Sequence, residues 1–378
     1  MTMIDYFSSI DYAFMIFYVL VLLCLGFYLK RQASKSLDNY VCGGGNIPWW
    51  CMGISGMAQF LDLSGTAVIV SFLFMMGPQG LFVEFRGGAV LILPFMMLWT
   101  GKWHRRSGCL TGAQWNIFRF GDGWGGRASQ LMAVIATVLT TIGMLAYLIV
   151  GAGIFLSTFL PWSPFACSVG LMLLATPYTM MSGFYGVIFT DLFQSFIIIA
   201  AVIYVTVTAF MGVESSAQVS EVALAVTGNP DWISGMPKWE VHTPEGYGQY
   251  KHLIIFSGFY LLRTIAAGIG TGADPRYFGA KDDRACGKLS LWTALMSVRW
   301  PLMIGIAVLG LYLVNDLIPD QTNVQQAAEV IQMEYPDTEK PAWGDLISSI
   351  ANAPAKHDVE MVASLKEILG DDKWVEKM

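Results

Sequence analysis

Charge is scarce in this sequence. Asp, Glu, Lys and Arg make up only 13% of its 378 residues, while 55% are hydrophobic, and a soluble domain of this length needs more polar surface than that to stay dispersed. Cysteine is scarce as well. Cys24, Cys42, Cys51, Cys109, Cys167 and Cys286 contain no C-x-x-C pair, and none falls in the two long polar segments. That argues against a disulfide framework and a zinc site. The histidines, His104, His242, His252 and His357, form no ligand cluster. There is no H-E-x-x-H, Walker A or G-x-S-x-G motif, so an enzyme is not expected. The Gly43–Gly45 run follows no strand and opens no nucleotide fold. A signal peptide is excluded too. Asp5 and Asp11 precede the first apolar run and Lys30, Arg31 and Lys35 follow it, the reverse of the targeting pattern.

What remains is long apolar runs, with a mean hydropathy of +0.53. Eight of them come near or exceed the ~20 residues that cross a bilayer. They run roughly Tyr12–Tyr28, Pro48–Met75, Leu81–Trp99, Ser129–Leu160, Phe165–Met181, Gly183–Met211, His252–Gly272 and Leu289–Leu317. They are too long and too unalternating for a membrane barrel, so they predict helices, because lipid offers no partner to a free backbone amide. The fold class expected is an all-α polytopic membrane protein. Basic residues cluster in three loops: around Lys30 to Lys35, Lys102 to Arg127 and Arg276 to Lys288. The 212–251 segment carries only Lys238 and Lys251 against five carboxylates. By the positive-inside rule the basic loops face the cytoplasm and the N-terminus lies outside. The 318–378 segment is acidic and reads as external. Within it, Asp358–Leu369 predicts an amphipathic helix with Val359, Val362, Leu365 and Leu369 on one face and Gly370 as its stop.

Two spans differ from the rest. In the second, Gly53, Gly56, Ser64 and Gly65 interrupt the apolar run around Asp62. In the seventh, Arg263 precedes Gly268, Gly270, Thr271 and Gly272. Small residues with a charge near mid-membrane predict helices that unwind there and expose carbonyls to an ion or a polar solute. A pair in corresponding positions marks an inverted-repeat transporter. The competing reading is that these glycines merely permit close helix packing. The ionisable residues in or near spans, Asp62, Glu84, Arg86, Asp191, Arg263 and Arg299, cost at least ~2.5–3.5 kcal/mol each at the centre of lipid, so they should line the bundle interior. Arg263 is a candidate anchor for a carboxylate on a solute. Alternatively it neutralises Asp62.

Three stretches carry a resemblance. Gly43 to Ser55 (GGGNIPWWCMGIS) is similar to the start of the first core helix of the sodium:solute symporter family. Gly186 to Gln194 (GVIFTDLFQ) resembles its G-x-x-x-x-T-D-x-x-Q stretch, and Arg276 to Lys281 (RYFGAK) its QR-x-x-A-A-K loop, with Pro301 fitting the proline of the following helix. The resemblance implies a LeuT-type inverted-repeat bundle with one extra N-terminal helix (12–28), a first repeat over 48–211 and the opening helices of a second, incomplete repeat over 252–317. Residues 1–317 then form the bundle, 212–251 an external loop and 318–378 an acidic external segment. It implies sodium at the carbonyls of Ala58 and Leu61, with Asp191 at the ion exit or a second sodium site. Glu84 matches a sugar-binding glutamate, whereas Phe60, Arg263 and Ser297 replace residues of the sugar pattern. With Asp62 these make up the candidate solute site. The expected activity is sodium-coupled symport of a small polar solute, anionic or zwitterionic, in a bacterial inner membrane. No cofactor other than the coupling ion, and no nucleic-acid partner, is expected. The alternatives are a transporter-like sensor or scaffold, or an inactive fragment of a symporter. The family's later core helices are not among the eight spans, and truncation is the favoured explanation.

Overall fold

A computed structural model of the chain describes residues 8–59, 61–86, 93–160, 162–243, 247–270, 274–296, 303–317, 321–338, 343–370 and 374–377. Among these residues the regular elements are all helical. Helix α1 (Ser9–Ala33) opens on a capping box in which the Asp11 carboxylate accepts the Ser8 N–H at 2.8 Å. Next come α2 (Trp49–Ala58) and α3 (Leu63–Met76). A 3₁₀ stretch (Gly77–Arg86) and a π turn (Met96–Thr100) precede α4 (Gly101–Ser107). The long helices α5 (Trp124–Ser157) and α6 (Pro164–Met211) follow, then α7 (Leu253–Gly270), α8 (Pro275–Phe278), α9 (Asp283–Met296) and α10 (Ile304–Leu317). Helices α11 (Gln321–Glu334), α12 (Trp343–Asn352) and α13 (Val359–Leu369) lie beyond.

Four stretches are long and apolar enough to cross a membrane: Ser9–Ala33, Leu63–Val83, Trp124–Ser157 and Pro164–Met211, with Leu253–Ala266 and Ile304–Leu317 as shorter apolar helices. The 48 residues of α6 measure about 72 Å as one rod, more than twice a hydrocarbon core. Gly183 breaks them, with φ 52° and ψ −145°, a backbone that residues with a Cβ avoid. The contacts with α1 require the chain to fold back there. Tyr18 of α1 accepts a hydrogen bond from Gln194 at 2.8 Å, while Gly26 packs on Tyr178. Those α1 residues are about 12 Å apart along the helix, but a straight α6 would hold its two partners about 24 Å apart. The sequence expects the two spans to part at Gly183, and the backbone parts there.

The second span is also two helices rather than one. Helix α2 ends as the Gln59 N–H turns back to Ser55 O (3.2 Å) and the Leu61 N–H to Ala58 O (2.8 Å). Helix α3 then restarts with Asp62 as its N-cap, the carboxylate accepting the Gly65 N–H. Gly53 and Gly56 do not make the break. A Cβ on Gly53 would stand 2.8 Å from Trp292 and one on Gly56 2.6 Å from Thr293. These two glycines let α9 lie against α2, so the packing reading holds for them and the unwinding reading holds four residues later. The buried cluster of Cys51, Met52, Ile188, Tyr277, Cys286 and Leu289 therefore centres on α2, between α6 and α9.

The polar segment between α6 and α7 clasps the end of α3. Trp232 is buried and donates its indole N–H to Phe74 O at 2.7 Å, and Asn229 donates to Met75 O at 3.3 Å. Both satisfy carbonyls that a helix end leaves orphaned. In the tail, α13 forms between the Asp358 cap and Gly370. Val362, Leu365 and Leu369 are buried against α11, but Val359 is exposed and Met361 takes its place inside. Val359 and Met361 are two positions apart and cannot share a helix face.

Candidate functional site

Arg276, on the short helix that follows α7, sits against the end of α2. The seventh span does not unwind at Gly268, because α7 is helical through Gly270, and Thr271 and Gly272 lie outside the described residues. The sequence reading counts Arg276 among loop charges, yet only 7% of it is exposed. The reason lies in its neighbours. Asp274 caps α8 and accepts the Arg276 N–H at 2.9 Å. That short helix turns the guanidinium back toward the end of α2. Its Nη2 donates to Ser55 O at 2.9 Å and to Ser55 Oγ at 2.7 Å, and Nη1 donates to Gln59 Oε1 at 3.3 Å and Asp274 Oδ1 at 3.2 Å. The Ser55 hydroxyl, wholly buried, donates in turn to the Asp191 carboxylate on the second half of α6, which lies 3.7 Å from Arg276. One planar fork thus holds the last turn of α2, the connection after α7 and the middle of α6.

The charge count in this cluster is the key electrostatic fact. One largely buried guanidinium faces two partly exposed carboxylates, Asp191 and Asp274, a formal surplus of one negative charge. Partly desolvated charge is costly unless it is balanced, and a small cation is one group that can balance it. The available oxygens suit a hard cation: carboxylate, hydroxyl and the carbonyls at the end of α2. Ser55 and Ala58 are three apart on α2 and share a face, which sets the Ala58 end of the break on the Asp191 side. A second buried contact reinforces the arrangement, because Thr293 of α9 donates to Gly53 O at 3.0 Å.

The remaining expected site residues are dispersed. Asp62 is committed to capping α3. Leu61 lies in the break, its N–H on Ala58 O. Arg263, exposed on α7, stands 5.7 Å from the ring of Tyr260. Among the described residues no ion pair joins Arg263 to Asp62. Phe60 and Ser297 lie outside the described residues, as do the side chains of Glu84 and Arg86 and all of Arg299 and Pro301. Sequence reasoning misses Ser55, Gln59, Asp274 and Arg276 as site residues. A usable signal was present. In the sequence, Asp274-Pro275-Arg276 comes after a glycine-rich stretch, and an acid followed by proline marks a helix start with a charge beside it.

An all-helical bundle whose second span breaks between α2 and α3, with a cluster of charges at the break, fits a LeuT-type inverted-repeat bundle. The chain belongs to the sodium:solute symporter family, whose model matches residues 40–337. It is 26% identical over 239 residues to the sodium/sialic acid symporter SiaT of Proteus mirabilis, a match covering 62% of this chain and 45% of that one. It is 21% identical over 332 residues to the sodium/glucose cotransporter of Vibrio parahaemolyticus, covering 82% of this chain and 56% of that one. The chain thus spans about half the length of these curated relatives. Among solved structures it shares the fold of a substrate-bound, outward-open Na⁺-coupled sialic acid symporter. The TM-score is 0.64 at 18% identity, over 98% of this chain and 70% of that one.

Proposed function

We propose that this chain carries the ion- and solute-binding half of a sodium-coupled symporter for a small anionic or zwitterionic solute. The observation that supports the reading is the Arg276–Ser55–Asp191–Asp274 cluster, in which two carboxylates face one guanidinium at the end of α2. Sodium sits beside Asp191 and the Ala58 and Leu61 carbonyls. Its occupancy fixes the end of α2 against α6 and α8, and by linkage an ion that favours one arrangement raises affinity for a solute that favours the same one. The membrane potential contributes about 2.3 kcal/mol per charge per 100 mV. Arg263 anchors the solute, because it is a cation without an ion-pair partner among the described residues and an aromatic ring flanks it. That supports a sialic-acid-like carboxylate over a neutral sugar. We read the loops rich in Lys and Arg as cytoplasmic, with the N-terminus, 212–251 and 318–378 outside and a bacterial inner membrane as the location.

The test is uptake by proteoliposomes holding a version of the protein that spans the full length of its relatives. Labelled sialic acid accumulates under an inward sodium gradient and glucose does not, and replacing sodium by potassium abolishes the signal. Uptake that ignores the sodium gradient contradicts the coupling. Equal uptake of glucose contradicts the role given to Arg263.

A further inference from the structure

A second charged feature lies away from the cluster, between α4 and the segment that enters α9. An open cleft of about 590 Å³ is lined by Arg105, Arg106, Lys281, Asp282, Asp283 and Arg284. Its carboxylates are already engaged. Asp282 accepts the Ala285 N–H at 2.7 Å at the start of α9, and Asp283 accepts the Arg106 Nε–H at 2.8 Å. The cations are not. Among the described residues Lys281 and Arg284 pair with no carboxylate. Arg105 reaches only Lys281 O at 3.2 Å, and its buried Nε has no partner. Asp282 keeps its charge, so four cations face two carboxylates and the cleft carries a formal net charge of +2.

The helical stretch that carries Arg105 and Arg106 points to what occupies the cleft. Trp99 and Trp103, 50% and 44% exposed, lie one turn apart beside Lys102 and Arg106. Large indoles set among basic side chains at the end of an apolar segment are the signature of the headgroup region of a bilayer. Oxygen-rich phosphates suit guanidinium forks, and the adjoining acyl chains suit the exposed indoles. A free anion would use the cations and leave the indoles idle.

We propose that this cleft is a binding site for the headgroup of an anionic phospholipid. Arg105, Lys281 and Arg284 contact the phosphate, and Trp99 and Trp103 lie along the acyl chains. The site is independent of the Arg276 cluster and of the solute reading, because none of its cations belongs to either. The test is the thermal midpoint of the purified chain in a nonionic detergent, with phosphatidylglycerol, phosphatidylcholine or inorganic phosphate added. Phosphatidylglycerol raises the midpoint by roughly 3 °C, and the other two leave it in place. The double variant K281Q/R284Q keeps its lipid-free midpoint and loses the shift, and K281Q alone shows an intermediate shift. Equal shifts from both lipids overturn the proposal. So does a shift from inorganic phosphate as large as that from phosphatidylglycerol, which makes the cleft a free-anion site. A full shift retained in the double variant overturns it as well.

Discussion

Replacing Arg276 by alanine lowers the stability of the chain by about 3–5 kcal/mol. The guanidinium is buried and makes six hydrogen bonds to Ser55, Gln59 and Asp274, with Asp191 beside it. Removing it leaves two carboxylates in a partly desolvated cluster without a cation, and leaves Ser55 O and Gln59 Oε1 without their charged donor. Both losses add. Arg276→Lys restores the charge but cannot reproduce a fork that spans Ser55 and Gln59 at once, so it recovers only part of the loss. Adding D191N to R276A removes one stranded charge, so the double variant is less destabilised than the sum of the two single changes. Thermal midpoints of the four proteins in one detergent measure this. A midpoint for R276A equal to that of the parent chain contradicts the packing described for Arg276.

Acid stability provides a second large effect. His104 on α4 is 1% exposed, its ring stacks on Phe278 at 4.8 Å and meets Trp115 edge-on at 5.2 Å, and neither ring nitrogen has a hydrogen-bond partner. Burial pushes the imidazole from its usual 6.5 down to about 4. Between those values the unfolded chain holds a proton that the folded chain does not. Stability is thus complete above pH 6.5 and declines as pH falls toward 4, by up to about 3 kcal/mol from this residue. His104→Phe keeps the stacking and removes the titration. The midpoint gap between variant and parent then shifts in favour of the variant as pH goes from 7.5 to 4.5. A gap that stays constant over that range shows that His104 takes up its proton equally in both states.

The same residues show how far the sequence could be read. The membrane class and the family were legible because they rest on long-range patterns: apolar runs, the positive loops and three motifs in one order. The break at Gly183 was legible because a glycine separates two runs, each long enough to cross. The position of the break in the second span was not. Gly53 and Gly56 draw attention to themselves, yet they are used for contact with Trp292 and Thr293, while the turn itself runs through Gln59 and Leu61 and is closed by the Asp62 cap. Glycine content does not distinguish packing from unwinding, since both need a small residue. Arg276 was misplaced for a related reason. Loop charge is counted along the chain, but burial depends on where Asp274 and Ser55 bring the side chain in space. Asp62 illustrates the reverse: a mid-span carboxylate that reads as a binding group spends its lone pair on a backbone N–H.

Binding of ²²Na⁺ to the purified chain tests most directly whether the charge cluster at the end of α2 is an ion site. The account predicts saturable binding that excess sodium displaces and excess potassium does not. Asp191→Asn weakens that binding about tenfold or more, since it removes a formal charge held against the end of α2 through Ser55, while Arg263→Gln leaves it intact because among the described residues no ion pair joins Arg263 to the cluster. Saturable binding that survives D191N unchanged, or that R263Q abolishes, places the ion elsewhere and contradicts the account.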